Sequence, residues 1–113
     1  MATREIYKVI AQLSPAATTL TTLYTVPAAT ETVVSSIIVT NRSNSNRSFR
    51  IAISVAGAAI DNKHYIAYDT AIGGNGVQEF TTGMTLAATD VIRVYAGSAE
   101  LSFNVFGTEI ANV

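Results

Sequence analysis

The chain has 113 residues, no cysteine and a formal net charge of −1, with a pI near 5.7. This length suits one domain, so we predict a single domain over residues 1–113. Without cysteine the chain has no disulfide, no thiolate metal ligand and no cysteine nucleophile. A charge this close to zero offers no basic field for a phosphate backbone, so we expect no nucleic-acid partner.

The N-terminal residues, Met1 to Glu5, do not begin an apolar run of the length found in a signal peptide. The strongly apolar stretches, such as Ser36 to Val39, are much shorter than the roughly 20 residues that a membrane-spanning helix needs. We therefore expect a protein that is made and folded in the cytoplasm and that has no membrane partner.

Charged residues make up only 13% of the chain, and hydrophobic residues make up 49%. Ordinary soluble domains have about 25% charged residues. Abundant Thr, Ser and Asn side chains can cover part of the surface. The alternative is that part of the surface is buried in a permanent assembly, where interfaces resemble a core cut in half. We favour the assembly and expect a homo-oligomer, with threefold symmetry as one option.

The first predicted strand lies near the N-terminus, where residues of one parity are mainly apolar. A strand there places on one face the side chains of Tyr7, Val9, Ala11 and Leu13. The segment Ser14–Ala17 contains Pro15 and ends this strand, because proline cannot donate to a sheet ladder.

Two segments rich in β-branched residues follow, Thr19–Val26 and Thr32–Asn41, and a turn at Pro27 separates them. The polar segment Asn41–Asn46 is predicted to be an exposed loop. It leads into the clearest alternation of the chain, which places on one face Phe49, Ile51, Ile53 and Val55.

The second half of the chain continues the pattern of short strands. A strand is predicted along Asn62–Asp69 and into Thr70. On one face of this strand we expect the side chains of His64, Ile66, Tyr68 and Thr70. Gly73–Gly76 is predicted to be a flexible hairpin tip. Val91–Ala96, apolar on both faces, and Leu101–Val105 are the last two predicted strands.

Helical periodicity is nearly absent, and about eight or nine short strands recur at spacings of roughly 8–12 residues. We therefore predict an all-β fold, a single antiparallel β-sandwich of the jelly-roll-like or Ig-like kind.

No pattern for catalysis or metal binding is visible. His64 is the only histidine, and a lone histidine among aromatic neighbours is a structural or surface residue far more often than a base. The eight carboxylates are scattered singly, and no spacing typical of metal ligands occurs. We expect a protein that is not an enzyme and that uses no cofactor.

Three tyrosines and one arginine are the candidate interaction residues. Tyr65, Tyr68 and Tyr95 suit a core, a protein interface or a sugar-binding platform, and the sequence leaves these three open. Arg4 lies in a short N-terminal arm that can anchor the chain to a larger protein. We name all four residues as a possible partner interface.

Three stretches resemble a group of small virion proteins from tailed bacteriophages, including cyanophages. They are Tyr24–Thr30 with the following Val34–Arg42, then Asn62–Asp69, and finally Leu86–Ala96 with Phe103–Ile110. The resemblance covers nearly the whole chain. One departure is Thr89, where the family pattern has glycine before the aspartate.

This resemblance implies a β-sandwich component of a phage particle, present in many copies and without catalytic residues. The location is then the virion. The partners are other virion proteins, either proteins of the tail or baseplate or the major capsid protein. We favour a place on the tail, baseplate or fibre. Capsid decoration and a carbohydrate-binding module that aids host adsorption are the alternatives.

Overall fold

The computed structural model of the chain describes residues 2–112, which contain nine β-strands. These are β1 (Thr3–Leu13), β2 (Thr21–Thr25), β3 (Thr30–Asn41), β4 (Arg47–Ser54), β5 (Tyr65–Ile72), β6 (Val77–Phe80), β7 (Met84–Leu86), β8 (Val91–Ala96) and β9 (Leu101–Asn112). The predicted all-β sandwich is confirmed. Strands β1, β3 and β9 have 11 or 12 residues and are longer than predicted. Among the described residues, no helix is long and apolar enough to cross a membrane.

The strands form two antiparallel sheets. The five-stranded sheet has the order β1-β9-β3-β6, with β7 also paired to β3, and the four-stranded sheet has the order β2-β8-β4-β5. Successive strands from β1 to β4 alternate between the sheets, and β9 inserts between β1 and β3. This is the arrangement of a jelly roll, so the structure decides between the two predicted sandwich types.

The core lies between the sheets and is built by residues of alternating parity. Phe49 of β4 packs edge-on against Phe80 at 5.9 Å and against Phe103 at 6.2 Å between ring centroids. Burying one such side chain contributes about 2–3 kcal/mol. The predicted inward face of β4 is confirmed for Phe49 and Ile51 but is wrong for Val55, which is 67% exposed. The strand ends at Ser54, and the chain continues into a 3₁₀ turn.

The predicted face of the first strand is wrong in its second half. A β-bulge between Val9 and Ala11 shifts the register of β1 against β9. Because an extra residue reverses the alternation, Tyr7 and Val9 point outward, whereas Ala11 and Leu13 point into the sandwich.

The strand predicted over Asn62–Asp69 begins only at Tyr65. His64 is the last residue of a 3₁₀ turn, and it is buried. The pairing of β4 with β5 is irregular between Phe49 and Ile51. Tyr68 therefore points outward, whereas Thr70 lies opposite Phe49 and points to the inner face. The prediction that His64, Ile66, Tyr68 and Thr70 share one face is therefore wrong.

One end of the sandwich gathers the loop after β3 and the turn between β5 and β6. Asn41 is only 1% exposed and Ser43 only 7%, so the prediction of an exposed loop is wrong at these two residues. The turn is held against this loop, because Asn75 N–H donates to Ser43 O at 2.7 Å. A Cβ on Gly74 would lie 2.5 Å from the Asn44 carbonyl carbon, so only glycine fits there.

Candidate interaction surface

The outer face of the four-stranded sheet carries the three predicted tyrosines. Alternation along β4 turns Phe49 and Ile51 into the core, so Arg50 between them points outward. Arg50 lies directly opposite Tyr95 of β8 in the sheet register. Tyr68 of β5 flanks Arg50 on the other side. The sheet thus brings residues from three strands into one cluster.

Arg50 is the centre of this cluster. Its guanidinium carbon lies 4.2 Å from the Tyr68 ring centroid and 4.3 Å from the Tyr95 ring centroid. A cation over an aromatic face gains about 0.5–1 kcal/mol at an exposed site. Tyr65 packs edge-on against Tyr68, with 4.9 Å between ring centroids. We call Arg50, Tyr65, Tyr68 and Tyr95 the Tyr–Arg surface.

Asp69 holds the guanidinium of Arg50 in place. Arg50 Nε donates to Asp69 Oδ1 at 2.6 Å, and a terminal nitrogen donates to Oδ2 at 3.3 Å. These hydrogen bonds raise the pKa of Arg50 above its usual range. Two-point pairing orients the planar guanidinium and neutralises its charge. The surface is therefore ordered and carries little net charge.

A groove of about 470 Å³ lies beside the cluster and is lined by Asn62, Tyr65 and Tyr68. Tyr68 is 56% exposed, and Tyr65 and Tyr95 are half-buried. The groove offers aromatic edges, phenol hydroxyls and one amide. These groups can bind a partner through apolar contact and hydrogen bonds.

The structure answers the open question about the tyrosines in part, because all three lie outside the core. Arg4 does not join them. It is an exposed residue of β1 in the five-stranded sheet, where it pairs with Ala111 of β9. The prediction of an N-terminal arm at Arg4 is therefore wrong. Arg50 was missed by the sequence analysis. Its place between the core residues Phe49 and Ile51 was a signal that it points outward.

The remaining candidate groups serve local structure. His64 Nδ1 accepts a hydrogen bond from the Asp61 backbone N–H at 3.0 Å. The carboxylate of Asp90 accepts from the N–H groups of Ala56 and Ala87, at 2.8 and 2.9 Å. Within residues 2–112 no group of three or more His, Asp or Glu side chains is placed to hold a metal ion.

No protein-family model matches the chain, and no curated protein matches it.

Proposed function

We propose that the chain is a non-enzymatic structural protein of a tailed-bacteriophage virion, in the tail, baseplate or fibre. It assembles there by docking the Tyr–Arg surface on a larger virion protein. The observation that carries the proposal is Arg50, stacked between Tyr68 and Tyr95 and fixed by Asp69 on an accessible sheet face. The resemblance of the sequence to small virion proteins is the reason for placing this docking in a phage virion.

Tyrosine and arginine suit a docking site for a protein. Both are enriched among the residues that dominate binding energy at protein interfaces. Association costs free energy when mobile side chains become ordered, and the contacts of Arg50 reduce that cost because they already order the cluster. The low charged fraction of 13% agrees with a protein whose surface is partly buried in a permanent assembly.

Capsid decoration is the alternative place for the same docking surface, with the major capsid protein as the partner. Jelly rolls occur in viral capsid proteins and in lectins, so the fold alone does not choose between these roles.

A carbohydrate-binding module is the second candidate function, and the groove beside Asn62, Tyr65 and Tyr68 favours it. Two features count against it. The Tyr65 and Tyr68 rings meet at 86° and form no flat platform. Arg50 also covers a face of Tyr68. Glycan binding that is lost in both Tyr65→Ala and Tyr68→Ala, with the fold retained, would favour this function over docking.

The test of location is immunogold electron microscopy of virions with an antibody against this chain. Gold on the tail, baseplate or fibres is the expected result. Gold spread over the head would transfer the proposal to capsid decoration. Virions without gold would overturn the virion assignment.

The test of the docking surface is the incorporation of variant chains into particles. Tyr68→Ala removes one of the two rings on which Arg50 stacks and one wall of the groove, so we expect at least tenfold less chain per particle. Val55→Ala is the matched control, because Val55 is 67% exposed in the turn after β4 and lies outside the Tyr–Arg surface. Equal incorporation of the two variants would contradict docking through the Tyr–Arg surface.

A further inference from the structure

The outer face of the five-stranded sheet, on the far side of the sandwich from the Tyr–Arg surface, is apolar at its centre. Val9 is 48% exposed and lies opposite the half-buried Phe106, while Tyr7 in the next outward row is 77% exposed. On β3, Val33 and Ile38 point to the same side, above and below this centre. Apolar residues grouped in this way mark an interaction site.

The two ends of this face carry opposite charges. Glu5 lies beyond Tyr7 at one end, in the row of Ile110. At the other end the Arg42 guanidinium donates to Ser14 Oγ at 2.7 Å and to Ser102 Oγ at 2.8 Å. None of the three ion pairs in the described residues includes Arg42. Its charge is thus held in place on the surface by neutral oxygen atoms, and it forms no direct ion pair in the described residues.

We infer that two copies of the chain pair through this face, with a twofold axis that crosses the strands at the row of Val9 and Phe106. A twofold interface uses the same patch on both copies. About this axis, a residue above the row of Val9 and Phe106 faces the residue of the second copy that lies on the same strand, equally far below that row. Val9 then meets Val9, Phe106 meets Phe106, and the apolar centre is covered on both copies.

The register of the sheet gives the other contacts of this pairing. Val33 lies opposite Thr108, and Ile38 lies opposite Asn104, so the two are one row above and one row below Phe106. The axis therefore sets Val33 against Ile38 of the second copy. It likewise sets Glu5 against the guanidinium of Arg42 in the second copy, once on each side of the axis.

Charge excludes the other in-plane twofold axis, which runs along β9. That axis would set Glu5 against Glu31, because both lie opposite Ile110 on either side of β9. Like charges that face each other across an interface are unfavourable. The crossing axis replaces this repulsion by two attractive Glu5–Arg42 contacts.

The face is large enough for such a pair. Eleven residues at about 3.4 Å and four strands at about 4.8 Å give a patch of roughly 37 by 19 Å, or about 700 Å². Stable complexes bury about 800 Å² on each partner. The patch is thus close to the area that a stable pair needs.

Pairing deepens the proposed function, which requires repeated copies, but it uses a different face. The first experiment is sedimentation velocity of the intact chain over a dilution series. We expect a dimer that Val9→Lys weakens at least tenfold, because two lysines then meet at the axis. Val55→Lys is the matched control and leaves the dimer intact, since the 67%-exposed Val55 lies off this face. Circular dichroism verifies the fold of each variant.

The second experiment tests the axis by charge exchange. Glu5→Arg alone and Arg42→Glu alone should each weaken the dimer about tenfold. An equimolar mixture of the two variants should restore it, because both cross-interface contacts then join opposite charges. A monomeric or trimeric wild type, equal dimers in Val9→Lys and Val55→Lys, or a mixture without recovery would overturn the pairing. Loss of gold labelling with an intact dimer would overturn only the virion role.

Discussion

Tyr24 and Glu109 join the two sheets through one short hydrogen bond. Tyr24 Oη, from β2 of the four-stranded sheet, donates to Glu109 Oε2 of β9 at 2.5 Å. Lys8 Nζ lies 2.8 Å from the other carboxylate oxygen, and Thr32 Oγ1 lies 2.9 Å from Tyr24 Oη. This polar cluster lies on the inner side of β9, where Glu109 is only 7% exposed. It therefore ties the sheets together beyond the apolar core.

Alkaline pH should report the environment of Tyr24. Burial, followed by the hydrogen bond to Glu109, raises the pKa of Tyr24 to about 12 from its ordinary value of 10.0. The unfolded chain loses this proton at the ordinary value, so the stabilisation is complete below pH 10 and is lost as the pH rises towards 12. Absorbance titration of the phenols should show an ionisation step near pH 12 that is missing in Tyr24→Phe. A step near pH 12 that persists in this variant would contradict the assignment.

Acid should weaken the same cluster through Glu109. Burial raises the pKa of this carboxyl, but the hydrogen bonds from Lys8 and Tyr24 outweigh burial and hold it below the ordinary 4.5. The stabilisation is present above the ordinary value and is lost as the pH falls through the lower folded value. Glu109→Gln should therefore flatten the acid side of the unfolding free energy measured in urea. A Glu109→Gln variant with the wild-type acid slope would contradict this role of the cluster.

Replacing Asn41 should be among the most damaging single changes. Its Nδ2 donates to the carbonyl oxygens of Ser45, Ile72 and Gly73 at 2.8–3.2 Å, and its Oδ1 accepts from Ser43 N–H at 3.0 Å. Asn41→Asp keeps the shape but removes the donors, so we expect a loss of about 3 kcal/mol in urea unfolding. The exposed Asn44→Asp is the control and should cost less than about 0.5 kcal/mol.

Thr89→Gly should stabilise the fold. Thr89 has a φ of 70°, in the left-handed region that a β-branched residue tolerates poorly. Glycine is also the residue that the resemblance to small virion proteins predicts at this position. Relief of this strain should add about 1 kcal/mol to the free energy of unfolding, measured by heat or urea. The greater conformational entropy of glycine in the unfolded chain should offset part of this gain. A lower stability in the glycine variant would show that the Thr89 side chain contributes more than its strain costs.

The alternation of apolar and polar residues was sufficient to predict the all-β fold and the inward direction of Phe49 and Ile51 in β4. In a sheet buried on one face, side-chain direction follows a period of two, so Phe49 and Ile51 mark the core without any tertiary information. The three tyrosines were also found from the sequence. Their choice between core and surface was not, because an aromatic side chain is suited to both.

Composition and alternation by themselves determined a β-sandwich with few charges and with Tyr65, Tyr68 and Tyr95 as candidates. Only the tertiary structure decided that Arg50 lies between Tyr68 and Tyr95, since these residues come from three strands that are distant in sequence. It also decided the bulge after Val9, where one extra residue turns Ala11 and Leu13 to the other face. Bulges and strand neighbours depend on how separate segments pair, and no local pattern carries that information.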